Sequence, residues 1–111
     1  MVERVWSARA DSVEKGSAYA AYFRRVVLPE LTGIPGYIAA RLLQRDIRGG
    51  VEVVVCTSWE SLEAIRRFAG DDIDGAVVHD EAAALLVDYD HTVRHFEVVA
   101  EHSTRSARGS F

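Results

Sequence analysis

Cysteine, proline and methionine are all scarce in this 111-residue chain, at one, two and one. A single cysteine excludes an internal disulfide framework, and Cys56 lies at the end of an apolar run, VEVVVC, where a buried, inert thiol in a reducing compartment is expected. There is no excess of positive charge. The net charge of −4 gives no electrostatic reason to expect nucleic acid or an anionic membrane as a partner. Long hydrophobic runs are missing as well: nothing reaches the ~18 uninterrupted apolar residues of a membrane span, and MVERVWSARADS lacks the apolar core of a signal peptide. The cytoplasm is the expected location.

What the chain does contain is one domain's worth of sequence, 49% hydrophobic and 27% charged, and it is organised around Val51–Gly70, VEVVVCTSWESLEAIRRFAG. A β-branched run feeds a helix that carries Leu62, Ile65 and Phe68 at helical spacing and stops on Gly70. Thr57 or Ser58 is expected to cap that helix, with Glu60 completing a capping box, and Trp59 to lie where sheet meets helix. Upstream, Val2 to Ala10 alternates as a strand. Val2, Arg4, Trp6 and Ala8 share one face and Glu3, Val5, Ser7 and Arg9 the other, so neither face is purely apolar. Asp11 and Ser12 introduce a helix with Tyr19, Phe23, Val26 or Val27, and Leu31 on one stripe; Pro29 should kink or tighten its last turn. Arg24 and Arg25 read as a solvated face. Tyr37 to Arg45 follows as a second strand, Gly49-Gly50 turns it into an antiparallel hairpin with the third, and a last strand is expected from about Thr92 to Val99.

The order strand, helix, strand, strand, helix, strand is the βαββαβ pattern of the α+β ferredoxin-like fold, a four-stranded antiparallel sheet with both helices on one face. The other face needs a cover, and a homodimer through the sheet would supply it. The domain is expected over residues 1–100, with residues 101–111 a disordered tail. Two apparent metal motifs fail on geometry. His91 and His95 lie four residues apart on a strand, ~13 Å, too far for one ion. Gly70 to Glu81 nearly fits a calcium loop but begins on glycine where a carboxylate is required. No metal site is expected.

LPELTGIPGY, TSWESLEAIRRFAG, AVVHDEAAALL and VRHFEVV, in this order, resemble the antibiotic biosynthesis monooxygenase domain family of dimeric α/β-barrel proteins, over roughly Val2 to Val99. The resemblance implies two sheets packed face to face and a small-molecule pocket between sheet and helices in each subunit. It also implies one of three functions: a cofactor-independent monooxygenase acting on a phenol- or hydroquinone-like substrate, a haem-degrading monooxygenase, or a non-catalytic ligand-binding or assembly module. His79 lies near the proximal haem histidine of the haem-degrading members, one residue later when counted from Trp59. Phe68 stands where those proteins carry a tryptophan, and their strand-one asparagine has no counterpart, Arg9 lying closest.

Cofactor-free oxygen chemistry needs a group to deprotonate the phenol, a positive or hydrogen-bonding group to hold the anion, and apolar walls. His79, Arg41 and Tyr22 are the candidate catalytic residues, and Trp59, Phe68, Trp6, Tyr37 and His95 the candidate lining. His95 is expected either on the dimer-facing side of the sheet, hydrogen-bonded across the barrel, or in the pocket. No cofactor is the leading expectation, with haem as the minor alternative.

Overall fold

The computed structural model describes residues 1–104, so most of the tail expected at 101–111 lies outside the described residues. Strand β1 (Val2–Ala10) is followed by a long helical stretch made of α1 (Val13–Tyr22), a π-helical segment (Phe23–Val27) and α2 (Leu28–Thr32). Strands β2 (Tyr37–Ile47) and β3 (Gly50–Trp59), helix α3 (Leu62–Ala69), the single turn α4 (Asp80–Ala83) and the short strands β4 (Asp88–Tyr89) and β5 (Arg94–Glu97) complete the chain.

Local chemistry explains most boundaries. Ser12 caps α1, its hydroxyl accepting from the Lys15 amide at 3.1 Å. The expected distortion before Pro29 takes the form of the π segment. Proline cannot donate to the Arg25 carbonyl and its ring would crowd it, and the Leu28 amide bonds instead to the Phe23 carbonyl, five residues back. Helix α3 is capped by Ser61, whose hydroxyl accepts from the Ala64 amide at 3.2 Å, rather than by Thr57 or Ser58. Those two are still in β3, paired with Arg4 and Glu3 of β1. Gly70 ends α3 with φ of 82°, as expected.

The sheet is antiparallel, in the order β2-β3-β1, and the far edge of β1 carries both β4 and β5. One fourth strand was expected, and it is split in two. Tyr89 and Asp88 pair with Ala8 and Arg9, while Glu97 to Arg94 pair with Val2 to Val5. Between them the chain leaves β1 to meet another segment, with a Gly75–Thr92 bridge, the Ala76 amide on the His91 carbonyl and the Val93 amide on the Asp74 carbonyl. With the two halves taken together, the topology is the ferredoxin-like one.

Helices cover one face only. That face holds two core clusters, one built on Trp6, Tyr19, Tyr22, Phe23, Val51 and Val53, the other on Leu31, Trp59, Ala64 and Ile65. The opposite face presents Glu3, Val5, Arg41, Leu43, Val54, Cys56 and Phe96, of which Leu43 and Phe96 are about half exposed. Cys56 is therefore half-buried on the open face rather than sealed in the core. Gly36 sits at φ 92° where a Cβ would collide with that of Ala64, so the turn into β2 packs against α3 through a glycine.

Trp59 is fully buried and makes an edge-to-face contact with Tyr37 at 5.6 Å and a tilted one with Phe68 at 5.8 Å. Trp59→Ala is expected to destabilise the protein by roughly 3–5 kcal/mol, read as a lower urea midpoint at unchanged slope.

Candidate active site

A cleft opens between the two core clusters, walled by β1 and β3, the π segment with α2, Phe68 of α3 and the stretch Ala76–His79. Its inner lobe, about 70 Å³, is lined chiefly by Arg4, Trp6, Val27, Val55, Thr57 and Phe68. The outer lobe, about 40 Å³, shares Trp6, Val27 and Phe68 and adds Tyr22, Glu30 and His79. Apolar and aromatic side chains form the walls, and the polar groups sit at the two ends.

At the mouth, His79 stands just before α4 with its Nε2 3.3 Å from Glu30 Oε2. Arg25 pairs with Glu81 and ties the π segment to α4 beside it, so Arg25 is exposed but not unpartnered. Burial, together with Glu30 and Glu81, raises the Tyr22 phenol above its ordinary value, and burial does the same to Tyr19. Both therefore remain neutral hydroxyls near neutral pH, which leaves the Tyr22 phenol able to form hydrogen bonds but poorly suited to act as a base.

At the floor lies a residue that sequence reasoning passed over. Arg4 is 5% exposed. Its Nη1 donates to the Ile73 carbonyl at 2.6 Å and its Nη2 to the Gly75 carbonyl at 2.9 Å, while the Phe68 ring lies 5.8 Å from the guanidinium carbon. Nη1 also meets His95 Nε2 at 3.0 Å, and since arginine can only donate, that nitrogen accepts. The His95 proton is then on Nδ1, facing Asp74 Oδ1 at 3.4 Å. Burial, then the Arg4 charge, hold His95 below the ordinary imidazole value despite the opposing pull of Asp74. The signal for Arg4 was in the alternation itself: an arginine in register with Trp6 and Ala8 on the face that the helices cover.

Of the residues singled out from sequence, His79, Tyr22, Trp6 and Phe68 converge on this cleft. Trp59 and Tyr37 do not line it; they pack together in the second core cluster and its border. His95 is opposite Arg4 on the helix-covered side and not on the open face, because β5 pairs with β1 in that register. Arg41 is misplaced by the sequence reading. It is 71% exposed on the open face, 3.8 Å from Glu3 Oε2, because a bulge at Ile38 shifts the β2 register by one residue and puts Tyr37 and Arg41 on opposite sides. Arg9, on that same face, is likewise remote from the cleft. Among the described residues no group of three or more His, Cys, Asp or Glu is placed to hold a metal ion, and no helix is long and apolar enough to cross a membrane.

A sequence profile for antibiotic biosynthesis monooxygenases matches residues 7–73, more than half of the chain. The chain belongs to the antibiotic biosynthesis monooxygenase family. Solved structures share its fold at low identity. MhuD, a haem degrader from Mycobacterium tuberculosis with two haems bound in its active site, is 22% identical over 93% of this chain and 100% of its own, with a TM-score of 0.62. An antibiotic biosynthesis monooxygenase, so described provisionally, from Bacillus cereus is 17% identical over 93% and 97%, TM-score 0.61. SnoaB, a cofactor-independent oxygenase from Streptomyces nogalater, is 15% identical over 92% and 93%, TM-score 0.50. No curated protein matches the chain.

Haem is the group this family member must be tested against, and the cleft in this conformation does not fit it. The two lobes together are smaller than the roughly 150 Å³ that holds benzene in a dry engineered cavity, far below a porphyrin. His79, the candidate ligand, holds Glu30 through Nε2, which leaves Nδ1 as its free nitrogen. A single ring likewise enters only if the walls of the two lobes move apart.

The depressed His95 value fixes the sign of a pH effect. The folded state favours neutral imidazole, so the stability carried by the Asp74–His95–Arg4 chain is complete above the unfolded value of 6.5 and is lost as pH falls through the lower folded value. The urea midpoint is expected to drop between about pH 7 and about pH 5, and His95→Gln, which keeps an acceptor for Arg4 without titrating, to flatten part of that drop. Identical pH profiles for the two proteins would exclude this role.

Proposed function

We propose that this protein is a cofactor-independent monooxygenase of a small phenolic or hydroquinone-like substrate, working as a cytoplasmic homodimer joined through the open sheet face. The observation that carries the reading is the composition of the cleft: an aromatic and aliphatic slot with the His79–Glu30 pair and the Tyr22 hydroxyl at its mouth. Family membership and the shared fold with a cofactor-independent oxygenase support it.

The chemistry is balanced without a reductant. His79, backed by Glu30, takes the phenol proton, and the electron-rich ring then reacts with dioxygen. One oxygen atom becomes a new ring carbonyl and the other leaves as water, with the phenolic and ring hydrogens, giving the quinone. All electrons come from the substrate. Apolar walls keep bulk water from the reacting ring, and Tyr22 donates to the oxygen that gains charge.

Oxygen uptake with a naphthol- or anthrone-like substrate is expected to persist in chelator and to fall about 100-fold or more in His79→Ala. Arg41→Ala should keep wild-type turnover as long as the variant is dimeric by light scattering, since Arg41 lies on the other side of the sheet from the cleft. No uptake with any such substrate would leave a non-catalytic binding module. A saturable Soret shift on haem titration, lost in His79→Ala, would instead favour haem degradation. Light scattering should give twice the 12.3 kDa chain mass, and a monomer would remove the dimer.

A further inference from the structure

The reaction outlined above makes no use of Arg4, and its surroundings answer the charge only in part. All three of its hydrogen-bond partners are neutral: two backbone carbonyls and the lone pair of His95. Among the described residues no carboxylate oxygen lies within ion-pairing distance of the guanidinium. Asp74 acts on it through space against the effect of burial, but it contacts the His95 ring rather than the guanidinium, and its own side chain is 73% exposed, where water screens it. A guanidinium carries five N–H donors, and three hydrogen bonds leave two without an acceptor among the described residues. Burying a cation without a counter-charge costs several kcal/mol per ion, and here that cation forms the floor of an otherwise apolar lobe.

Thr57 stands beside it in the same lobe. It is 5% exposed, and its oxygen accepts from Trp59 Nε1 at 2.8 Å, which leaves its own O–H to donate. A buried guanidinium and a buried hydroxyl donor thus share a lobe walled by Trp6, Val55 and Phe68.

We infer that the inner lobe is an anion site, and that the cleft takes an aromatic monoanion whose carboxylate sits on Arg4 and Thr57 with its ring between Trp6 and Phe68. The site is the one used by the oxygenase reading and rests on that reading for catalysis, but it names the charge and orientation of the ligand. Arg4 holds the anionic end at the floor, and the far edge of the ring faces His79 at the mouth.

Binding is read without turnover, by calorimetry with benzoate and its neutral isostere benzamide on the full chain. Benzoate is expected to bind about tenfold or more tightly than benzamide, the span of one charge-assisted hydrogen bond. Arg4→Met should abolish that preference and leave benzamide binding intact, which also certifies the fold of the variant. If Arg4→Met does not fold, Thr57→Val should reduce the preference several-fold. Equal affinities, no saturable benzoate binding, a preference that survives Arg4→Met, or loss of both ligands together would overturn the inference, the last by making Arg4 a structural tie alone. A benzoate preference without oxygen uptake from phenols retains the anion site and removes the oxygenase; uptake without the preference does the reverse.

Discussion

The buried guanidinium of Arg4 is the constraint around which the helix-covered side of this protein is arranged. It projects from β1, pairs across to His95 of β5 and grips the Ile73 and Gly75 carbonyls, so one side chain joins the central strand, the edge strand and the irregular segment after α3. Hydrogen bonds from a charged donor are worth about 1.5–3 kcal/mol each, enough together to offset much of the desolvation. The segment carrying Val77, Val78 and His79 is anchored by backbone as well: the Gly75–Thr92 bridge with its flanking hydrogen bonds holds it independently of this tie, with the exposed His79–Glu30 and Arg25–Glu81 pairs beside it. Exposed pairs contribute little. The wall of the cleft is thus held from beneath by the backbone bridge as well as by Arg4.

That arrangement divides the sheet into two surfaces with different tasks. The helix-covered face places aromatic side chains around a narrow slot, and the π segment, forced by Pro29, brings Val27 to the middle of it. The open face carries Leu43 and Phe96 among charged residues that pair between strands, Arg45 with Glu52 of the neighbouring β3 and Arg41 across β3 with Glu3 of β1. A half-apolar sheet face of this kind is suited to a second sheet rather than to water.

Much of the architecture was legible in the sequence because it rests on local chemistry. Alternation fixed the strands, glycines marked the hairpin and the end of α3, and Pro29 announced a distorted helix. Two things were not legible for a physical reason. A bulge at Ile38 leaves no mark in a run such as YIAARLL, yet it reverses which face Arg41 takes, and a catalytic candidate was lost to the wrong side. The split edge strand depends on residues 74–76 meeting 91–93, a pairing with no periodic signature. At the candidate site, His79 and Tyr22 were singled out because their residue types suit the chemistry, and both line the outer lobe. Arg4 was missed because basic residues on a strand are read as solvated, although its register with Trp6 already contradicted that.

The claim that ligand chemistry belongs to the helix-covered cleft is tested most directly by a methyl NMR titration with a small phenol, because valines report on both faces. Val27, Val55, Val77 and Val93 line the inner lobe, whereas Val5 and Val54 point to the open face. The account predicts saturable shifts in the first group and none in the second. Shifts confined to Val5 and Val54 would contradict it and move the site to the other side of the sheet.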